Sequence, residues 1–426
     1  MVELNFNAGD YVRLRLAMTE IEGRILETSD KSVILLKLKS GYNIGILREN
    51  ILAGRVLRKF KEIEGKIELP KGKEGLPYVG LVITGGTIAS KLDVKTGGVK
   101  HLTNIGEFSK FYPELFKIAN VKRIDVPFMM ASESMSWEQW KEIAESVKEM
   151  LNDKDISGVI VTHGTDFLHY TSAALSFFLH DLNKPVVLTY SQRSIDRASS
   201  DANLNLQCAV QMAISDAAEV MLVGHASTND DFCHALLGTK VRKLHTSRRD
   251  AFKPVNVEPL AKVWPDKVEW LKDYRPRNAG KVDLDLAYNE KVALVKFYPG
   301  QDPAILDYYA LKYKGIVVEG SGLGHLPVSE AGSYSWISKL KKHIKNGFVV
   351  CVASQCINGR VDGFVYSNGR ELMDAGVIFL EDMLAETALV KLGWILGHYG
   401  QKKNVEERML DDVSGELNKR LSVEGV

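Results

Sequence analysis

Two short loops in this sequence carry hydroxyl side chains in a setting that suits nucleophilic chemistry. The first is TGGTIAS, at residues 84–90, and the second is THGTD, at residues 162–166. Each follows an apolar run of strand length, and open α/β sheets bind ligands beyond the carboxyl ends of their strands. Glycines before each threonine let the backbone turn sharply and approach a ligand. The pattern favours a nucleophile at Thr87 and a second polar group at Thr165, with Asp166 beside it.

A threonine nucleophile needs partners, because its hydroxyl reacts weakly at neutral pH without a base and a group that orients that base. Taken alone, Gly-Gly-Thr after a strand is more often a turn or a helix cap than a nucleophile. The presence of both loops in one lobe is what favours catalysis. Neither loop fits the glycine patterns of Walker or dinucleotide-binding sites.

The segments around these loops have the pattern of a parallel sheet that is covered on both faces. Amphipathic stretches at Trp137 to Leu151 and Tyr170 to Leu182 alternate with apolar runs, which predicts a doubly wound α/β lobe. The candidate strands are Tyr78 to Thr84, Gly158 to Thr162, Lys184 to Tyr190 and Glu219 to Gly224.

A second, smaller α/β lobe is predicted after a charged and weakly patterned segment, Trp264 to Glu290, which we interpret as a linker. A long helix is expected from Glu381 to Leu396, followed by a surface helix. The candidate strands are Val292 to Tyr298, Gly315 to Gly320, Phe348 to Ser354 and Gly376 to Leu380.

The sequence before about residue 69 has short runs of alternating apolar and polar residues, such as YVRLRL from Tyr11, separated by glycines. This pattern predicts a small all-β module, a barrel of five or six strands. The segment from Ile67 to Pro77 is rich in Pro, Gly and Lys and is typical of a linker. We therefore predict domains at residues 1–74, 75–285 and 286–426.

The amino-acid composition limits the classes of protein to which this chain can belong. The hydrophobic and charged fractions, 45% and 26%, are those of globular proteins, and a net charge of +1 gives no overall signal for a polyanion partner. The four cysteines are too widely spaced for a zinc or redox site, so no metal is expected and the thiols should be reduced. The acidic N-terminus lacks a signal-peptide pattern, and no run of about 18 apolar residues occurs. We expect a cytoplasmic protein without membrane contact.

Three segments resemble the bacterial-type asparaginase and glutaminase family. They are TGGTIAS, THGTDFLHYTS from Thr162 to Ser172, and KPVVLTYSQR from Lys184 to Arg193. The resemblance extends over nearly everything after about residue 76, and both signature loops are intact and in order. It implies two unequal, doubly wound asparaginase-like lobes behind the β module.

The resemblance also implies roles for individual residues. By position in the signature loops, Thr87 is the family's acyl-forming nucleophile, and Thr165 and Asp166 are its second-loop threonine and aspartate. The family's lysine falls on Lys243, within VRKLHTS. Which of the two threonines attacks first is not decided by the motifs, and the assignment to Thr87 rests on the resemblance.

Substrate contacts are implied at Ser132 and Glu133, in ASESM, where the carboxylate would bind an amino-acid ammonium group. The glycine-rich segment from Gly320 to Pro327 matches a family loop that approaches the substrate of a neighbouring subunit, which implies a homodimer. One position departs from the family pattern. Val94 stands in the lid loop where a tyrosine is usual, so lid closure or activation of the nucleophile is expected to differ.

The N-terminal β module, together with EGSGLGHLP and ASQCINGRV, resembles the D subunits of archaeal glutamyl-tRNA(Gln) amidotransferases. That resemblance implies a glutaminase that supplies ammonia to an E subunit, which amidates Glu-tRNA(Gln) with ATP and Mg. No cofactor is expected in this chain. The β module itself is compatible with docking either protein or tRNA. Two alternatives remain open: a stand-alone L-asparaginase, and a catalytically silent scaffold that binds an amino acid.

Overall fold

The computed structural model describes residues 6–28, 30–40, 42–59, 72–92, 99–101, 112–197, 199–329, 333–398 and 404–421. Within these ranges the chain forms an N-terminal antiparallel sheet, a lobe built on an eight-stranded sheet and a lobe built on a four-stranded sheet. None of the helices in these ranges is long and apolar enough to cross a membrane.

The predicted small all-β module is confirmed as five antiparallel strands in the order β4-β3-β2-β1-β5. Alternate residues of these strands are buried, as in Val12 and Leu14 of the first strand. The buried cluster contains only residues of this module, so the sheet curves around its own core. The strands are β1 (Tyr11–Arg15), β2 (Glu20–Leu26), β3 (Val33–Lys37), β4 (Asn43–Leu47) and β5 (Ala53–Arg58), with a 3-10 turn at Arg48–Asn50.

The first α/β lobe follows. Its strands are β6 (Tyr78–Ile83), β7 (Ser90–Leu92), β8 (Val99–His101), β9 (Asn120–Asp125), β10 (Ile156–Thr162), β11 (Leu179–His180), β12 (Val186–Thr189), β13 (Val220–His225), β14 (Cys233–Leu237), β15 (Val241–Lys243), β16 (Phe252–Pro254), β17 (Ala261–Val263), β18 (Val268–Trp270) and β19 (Asp283–Leu284). Its helices are α1 (Leu115–Ile118), α2 (Trp137–Leu151), α3 (Leu168–Phe178) and α4 (Ala202–Ala213), with 3-10 turns at Thr87–Ala89 and Ser132–Ser134.

The main sheet of this lobe has the order β18-β17-β14-β13-β12-β10-β6-β9. The strands from β13 to β9 are parallel, whereas β14, β17 and β18 extend the sheet in antiparallel fashion. Strands β12 and β13 are buried at every position. Burial of both faces explains why these strands appear in the sequence as continuous apolar runs.

Two element boundaries depart from the sequence-based expectation. Helix α3 ends at Phe178, and the chain then enters β11, which pairs with β19. The segment predicted as a linker before residue 290 contributes β18 and β19. These strands are short and partly exposed, so they lack the apolar alternation by which a strand is recognised. Helix α2 begins where predicted because Ser136 caps it, with the Gln139 side chain accepting from the Ser136 N–H at 2.9 Å.

The second α/β lobe is confirmed as a parallel four-stranded sheet in the order β20-β21-β22-β23. The strands are β20 (Val292–Lys296), β21 (Gly315–Gly320), β22 (Val349–Ser354) and β23 (Ile378–Phe379). The helices are α5 (Ile305–Lys312), α6 (Ile337–Lys345), α7 (Ser367–Asp374), α8 (Ala385–His398) and α9 (Val405–Leu410).

A buried ion pair joins the two lobes. Lys240 Nζ lies 2.6 Å from Asp382 Oδ2, and both side chains are 0% exposed. Burial lowers the pKa of Lys240, and the attraction of Asp382 opposes that effect. Asp382 also accepts hydrogen bonds from the Asn418 N–H and side-chain amide, at 2.9 and 2.6 Å. Both oxygens of the Asp382 carboxylate therefore have polar partners.

Replacing Asp382 with alanine should strongly destabilise the protein, because it leaves the Lys240 ammonium buried without its partner. Breaking such a pair on one side typically costs ~3–5 kcal/mol. Urea unfolding of the full chain measures the loss. The matched control is Glu269→Ala, which breaks an exposed pair with Lys262 at 3.3 Å and should cost at most about 1 kcal/mol. Equal losses in the two variants would contradict the prediction.

Candidate active site

Three loops meet at the carboxyl ends of β6 and β10. Strands β6 and β10 are adjacent and parallel, with Ile83 opposite Thr162, so the loops that follow them start side by side. Thr84 donates from its N–H and its hydroxyl to the Thr162 carbonyl, at 3.2 and 2.8 Å. The third loop is attached through Met130, whose N–H donates to the Thr84 carbonyl at 2.9 Å.

Glycine is required where these loops touch. Gly86 has φ of +79°, and a Cβ added there would lie 2.5 Å from both the Gly164 nitrogen and the His163 carbonyl oxygen. Such a contact is closer than any side chain allows, so the backbones of the two signature loops are packed directly against each other. Gly85, at φ of +126°, is in similar contact with the Met130 backbone. Side chains larger than hydrogen would separate the loops.

Thr87 follows this contact as the first residue of a 3-10 turn. Its side chain is half-buried, and its hydroxyl makes no hydrogen bond with any other residue that the structure describes. The turn itself is anchored: Ser90 Oγ donates to the Gly86 carbonyl at 2.7 Å, and the buried Tyr112 hydroxyl donates to the Ile88 carbonyl at 2.6 Å. A fixed backbone with an uncommitted hydroxyl is the arrangement that a nucleophile needs.

Thr165, Asp166 and Lys243 are brought together. Lys243 Nζ lies 2.8 Å from Thr165 Oγ1 and 2.8 Å from Asp166 Oδ1. The lysine side chain is 10% exposed and the aspartate side chain 61% exposed, so the aspartate lies on the solvent side of the group. The lysine can move a proton to or from the Thr165 hydroxyl while Asp166 fixes its position.

The strand that carries Lys243 is held on its opposite face by the second lobe. Neighbouring residues on a strand point to opposite faces, and Arg242 Nη2 lies 2.9 Å from Glu386 Oε1, on α8. Thr387 Oγ1 donates to the Thr239 carbonyl at 2.9 Å. Burial raises the pKa of Glu386, and Arg242 opposes that shift. Sequence reasoning missed this pair, because two charged residues so far apart in the chain give no local pattern.

Ser132 lies against the second signature loop and Glu133 does not. Ser132 is 3% exposed, and its Oγ accepts a hydrogen bond from the Phe167 N–H at 3.3 Å. A Cβ added at Gly164 would lie 3.0 Å from the same oxygen. Glu133 is exposed and makes no ion pair or hydrogen bond within the described ranges. Its carboxylate is therefore available to a ligand.

His163 is a structural part of the second loop. Its Nδ1 lies 2.8 Å from the Gly164 carbonyl oxygen and its Nε2 lies 2.9 Å from Thr171 Oγ1. A carbonyl only accepts, so Nδ1 donates and Nε2 accepts from the hydroxyl. Burial lowers the pKa of His163 to about 4, and the ring is therefore neutral at pH 7.

Two other predicted features are Val94 and the glycine-rich segment from Gly320 to Pro327. Val94 lies outside the described residues. In the segment from Gly320 to Pro327, the buried ring nitrogens of His325 have no hydrogen-bond partner among the described residues, and the ring packs edge-on against Tyr366 at 5.2 Å. Ser321 and His325 close a tight turn through backbone hydrogen bonds.

Family models match three parts of the chain. Residues 6–57 match the GatD N-terminal domain, residues 78–275 match the N-terminal asparaginase domain, and residues 291–409 match the glutaminase/asparaginase C-terminal domain. The matched ranges contain every residue of the candidate site.

Curated relatives are similar over nearly the whole chain. The D subunit of glutamyl-tRNA(Gln) amidotransferase from Thermococcus kodakarensis is 50% identical over 92% of this chain and 88% of its own length. The proteins of the same name from Pyrococcus abyssi and Methanothermobacter thermautotrophicus are 48% and 42% identical, over 97% and 98% of this chain and 96% of their own lengths.

Solved structures of L-asparaginases are similar to the two lobes. The thermostable L-asparaginase from Thermococcus kodakarensis aligns with a TM-score of 0.73 and 29% identity, over 80% of this chain and all of its own. L-asparaginase I from Vibrio cholerae aligns with a TM-score of 0.68 and 25% identity, over 81% of this chain and all of its own.

Replacing Glu386 with glutamine should lower kcat for amide hydrolysis by about tenfold, equivalent to ~1.4 kcal/mol in the barrier, with little change in KM. The reason is that Arg242 loses its charged partner and β15 no longer holds Lys243 rigidly. Arg242→Lys should retain more activity than Arg242→Met, because it keeps a charge. Glu269→Gln, on an exposed edge strand, serves as the control. An unchanged kcat in Glu386→Gln would show that the pair does not position Lys243.

Proposed function

The chain belongs to the asparaginase family and, within it, to the glutamyl-tRNA(Gln) amidotransferase D subunits, and from this membership we propose that it hydrolyses the side-chain amide of glutamine through Thr87. The ammonia would pass to an E subunit, which uses it to convert Glu-tRNA(Gln) to Gln-tRNA(Gln). The observation that carries the proposal is that Lys243 Nζ lies 2.8 Å from both Thr165 Oγ1 and Asp166 Oδ1. Thr165 and Asp166 belong to the loop that packs against the Thr87 loop.

The first step is attack on the substrate carboxamide. Thr87 Oγ1 forms a bond to the amide carbon, and its proton passes through the neighbouring relay to the leaving nitrogen, which departs as ammonia. Backbone N–H groups of the two glycine-containing loops would hold the oxyanion, since the close contact between the loops fixes their backbones. The product of this step is a glutamyl ester of Thr87.

The second step is hydrolysis of that ester. A water molecule gives up a proton as its oxygen bonds to the acyl carbon, and the Thr87 oxygen takes up a proton as it leaves. Thr165, Asp166 and Lys243 would move these protons. None of these steps requires a cofactor in this chain, and ATP and Mg would serve the E subunit.

Substrate recognition falls to the third loop. Glu133 is exposed and uncommitted within the described ranges, so its carboxylate can bind the ammonium group of a free amino acid. Ser132 lies against the second loop and would contact the substrate carboxylate or the loop backbone. A neighbouring copy of the chain, in a homodimer, would complete the site.

A stand-alone L-asparaginase is the second candidate, because solved L-asparaginases align along their full lengths with this chain. Against it, the N-terminal module at residues 6–57 matches the GatD N-terminal domain. A silent amino-acid-binding scaffold is the third candidate. It has no support within the described residues, since the lysine, threonine and aspartate are in hydrogen-bond contact.

Thr87→Ala should abolish ammonia release from glutamine while leaving the fold unchanged, because the half-buried hydroxyl makes no hydrogen bond with described residues. Removal of a nucleophile typically lowers kcat by a factor on the order of 10⁴ or more. Thr28→Ala, in the N-terminal module, is the matched control and should keep full activity. Full turnover in Thr87→Ala would exclude Thr87 as the nucleophile.

The amidotransferase role predicts that glutamine hydrolysis rises when the E subunit and Glu-tRNA(Gln) are added. Ammonia release from glutamine and from asparagine is measured for the chain alone and for the complete mixture. Stimulation specific to glutamine, lost in Thr87→Ala, is the expected result. A preference for asparagine that no partner alters would identify a free asparaginase instead.

A further inference from the structure

A cleft of about 510 Å³ lies between the N-terminal module and the first lobe. The module contributes strand and loop residues on one wall, and the chain after β12 contributes the other. This cleft is formed by different residues from those of the candidate active site. Its charged side chains are Arg24, Lys37, Lys39, Arg193, Asp196 and Arg197.

The charge in this cleft is strongly one-sided. Among the described residues that line it, five are cations and one is a carboxylate, whereas the whole chain carries a formal net charge of only +1. Arg193, Arg197 and Lys39 form no salt bridge with a carboxylate of the described residues. Lys37 is 7% exposed, and burial together with the like charge of Arg197 lowers its pKa, while Asp196 raises it. An anion in the cleft would relieve this repulsion.

Two tyrosines add flat surfaces to the cationic walls. Tyr42 is 74% exposed although it is a large aromatic side chain. The Tyr11 hydroxyl is buried and makes no hydrogen bond of normal geometry with a described residue, although Glu22 lies near it. An exposed ring can stack on a nucleobase, and arginine forks bind phosphate oxygens in pairs.

We propose that this cleft, the module cleft, binds a nucleotide unit, with its phosphate between Lys39, Arg193 and Arg197 and its base against Tyr42. The cleft volume lies within the range of roughly 300–1,000 Å³ typical of small-molecule sites. The nucleotide reaches the cleft either free or as part of an RNA strand, because both present the same phosphate and base. Binding here does not depend on amide hydrolysis.

The test uses the full chain and two probes, AMP and a short single-stranded RNA with a fluorescent label. Affinities are measured by calorimetry and by fluorescence anisotropy. The variant Lys39→Ala/Arg197→Ala removes one cation from each wall and should weaken binding by about tenfold or more. Tyr42→Ala should also weaken binding without changing charge. The control Lys342→Ala/Lys345→Ala removes two cations from α6 and should change affinity by less than about threefold.

The possible outcomes distinguish a free nucleotide from a nucleotide within an RNA strand, and some of them would contradict the proposal. Binding of AMP shows that a free nucleotide suffices, whereas binding of RNA without AMP assigns the cleft to a nucleotide within a strand. No binding of either probe, equal loss in the two double variants, or polyglutamate binding as tightly as RNA would overturn the proposal. Glutamine hydrolysis is measured on the same samples. Its absence while nucleotide binding persists would count against the proposed function alone.

Discussion

The direct backbone contact between Gly86 and the His163–Gly164 peptide is the constraint on which the candidate site depends. A Cβ at Gly86 would lie 2.5 Å from that peptide, so no other residue allows the two loops to meet. Thr87 and Thr165 each follow a glycine of this contact, and the position of one threonine is therefore linked to that of the other. The parallel pairing of β6 with β10 also fixes the relative positions of the two loops, because the loops follow directly from these adjacent strands. Because backbone atoms form this contact, the two threonine side chains are not needed to hold the loops together.

The second lobe contacts the segment of the first lobe that carries Lys243. Lys240, Thr239 and Arg242 all bind the segment at 382–387 of the second lobe, through a buried ion pair, a hydrogen bond and a second ion pair. Lys243 comes from the same short stretch and reaches the Thr165 loop on the other side. The first lobe thus supplies the two signature loops, and the second lobe holds the strand that supplies the lysine. This division explains why a lobe that contributes none of the predicted catalytic residues nevertheless contacts the segment that carries Lys243.

The N-terminal module packs as a separate unit. Its apolar core is made only of residues of the module itself. Its outer surface, with residues of the chain after β12, forms the cationic module cleft. Relatives named as amidotransferase D subunits match this chain over its length, and the L-asparaginase structures match about four-fifths of it. The module thus adds a surface without contributing a residue to the candidate site.

Local signals in the sequence were enough to predict the elements that carry the site. Continuous apolar runs indicate the buried parallel strands, and glycines next to threonines indicate the two loops. Which of these parts meet depends on the packing of the whole chain. Lys240 and Asp382 are 142 residues apart in the sequence, and no local sequence pattern predicts an ion pair at that separation. The sequence predicts a linker where the edge strand β18 forms, because this strand is stabilised by pairing with β17 rather than marked by its own alternation. Patterning reports which face of an element is buried, whereas an ion pair or a strand pairing depends on how distant elements are packed.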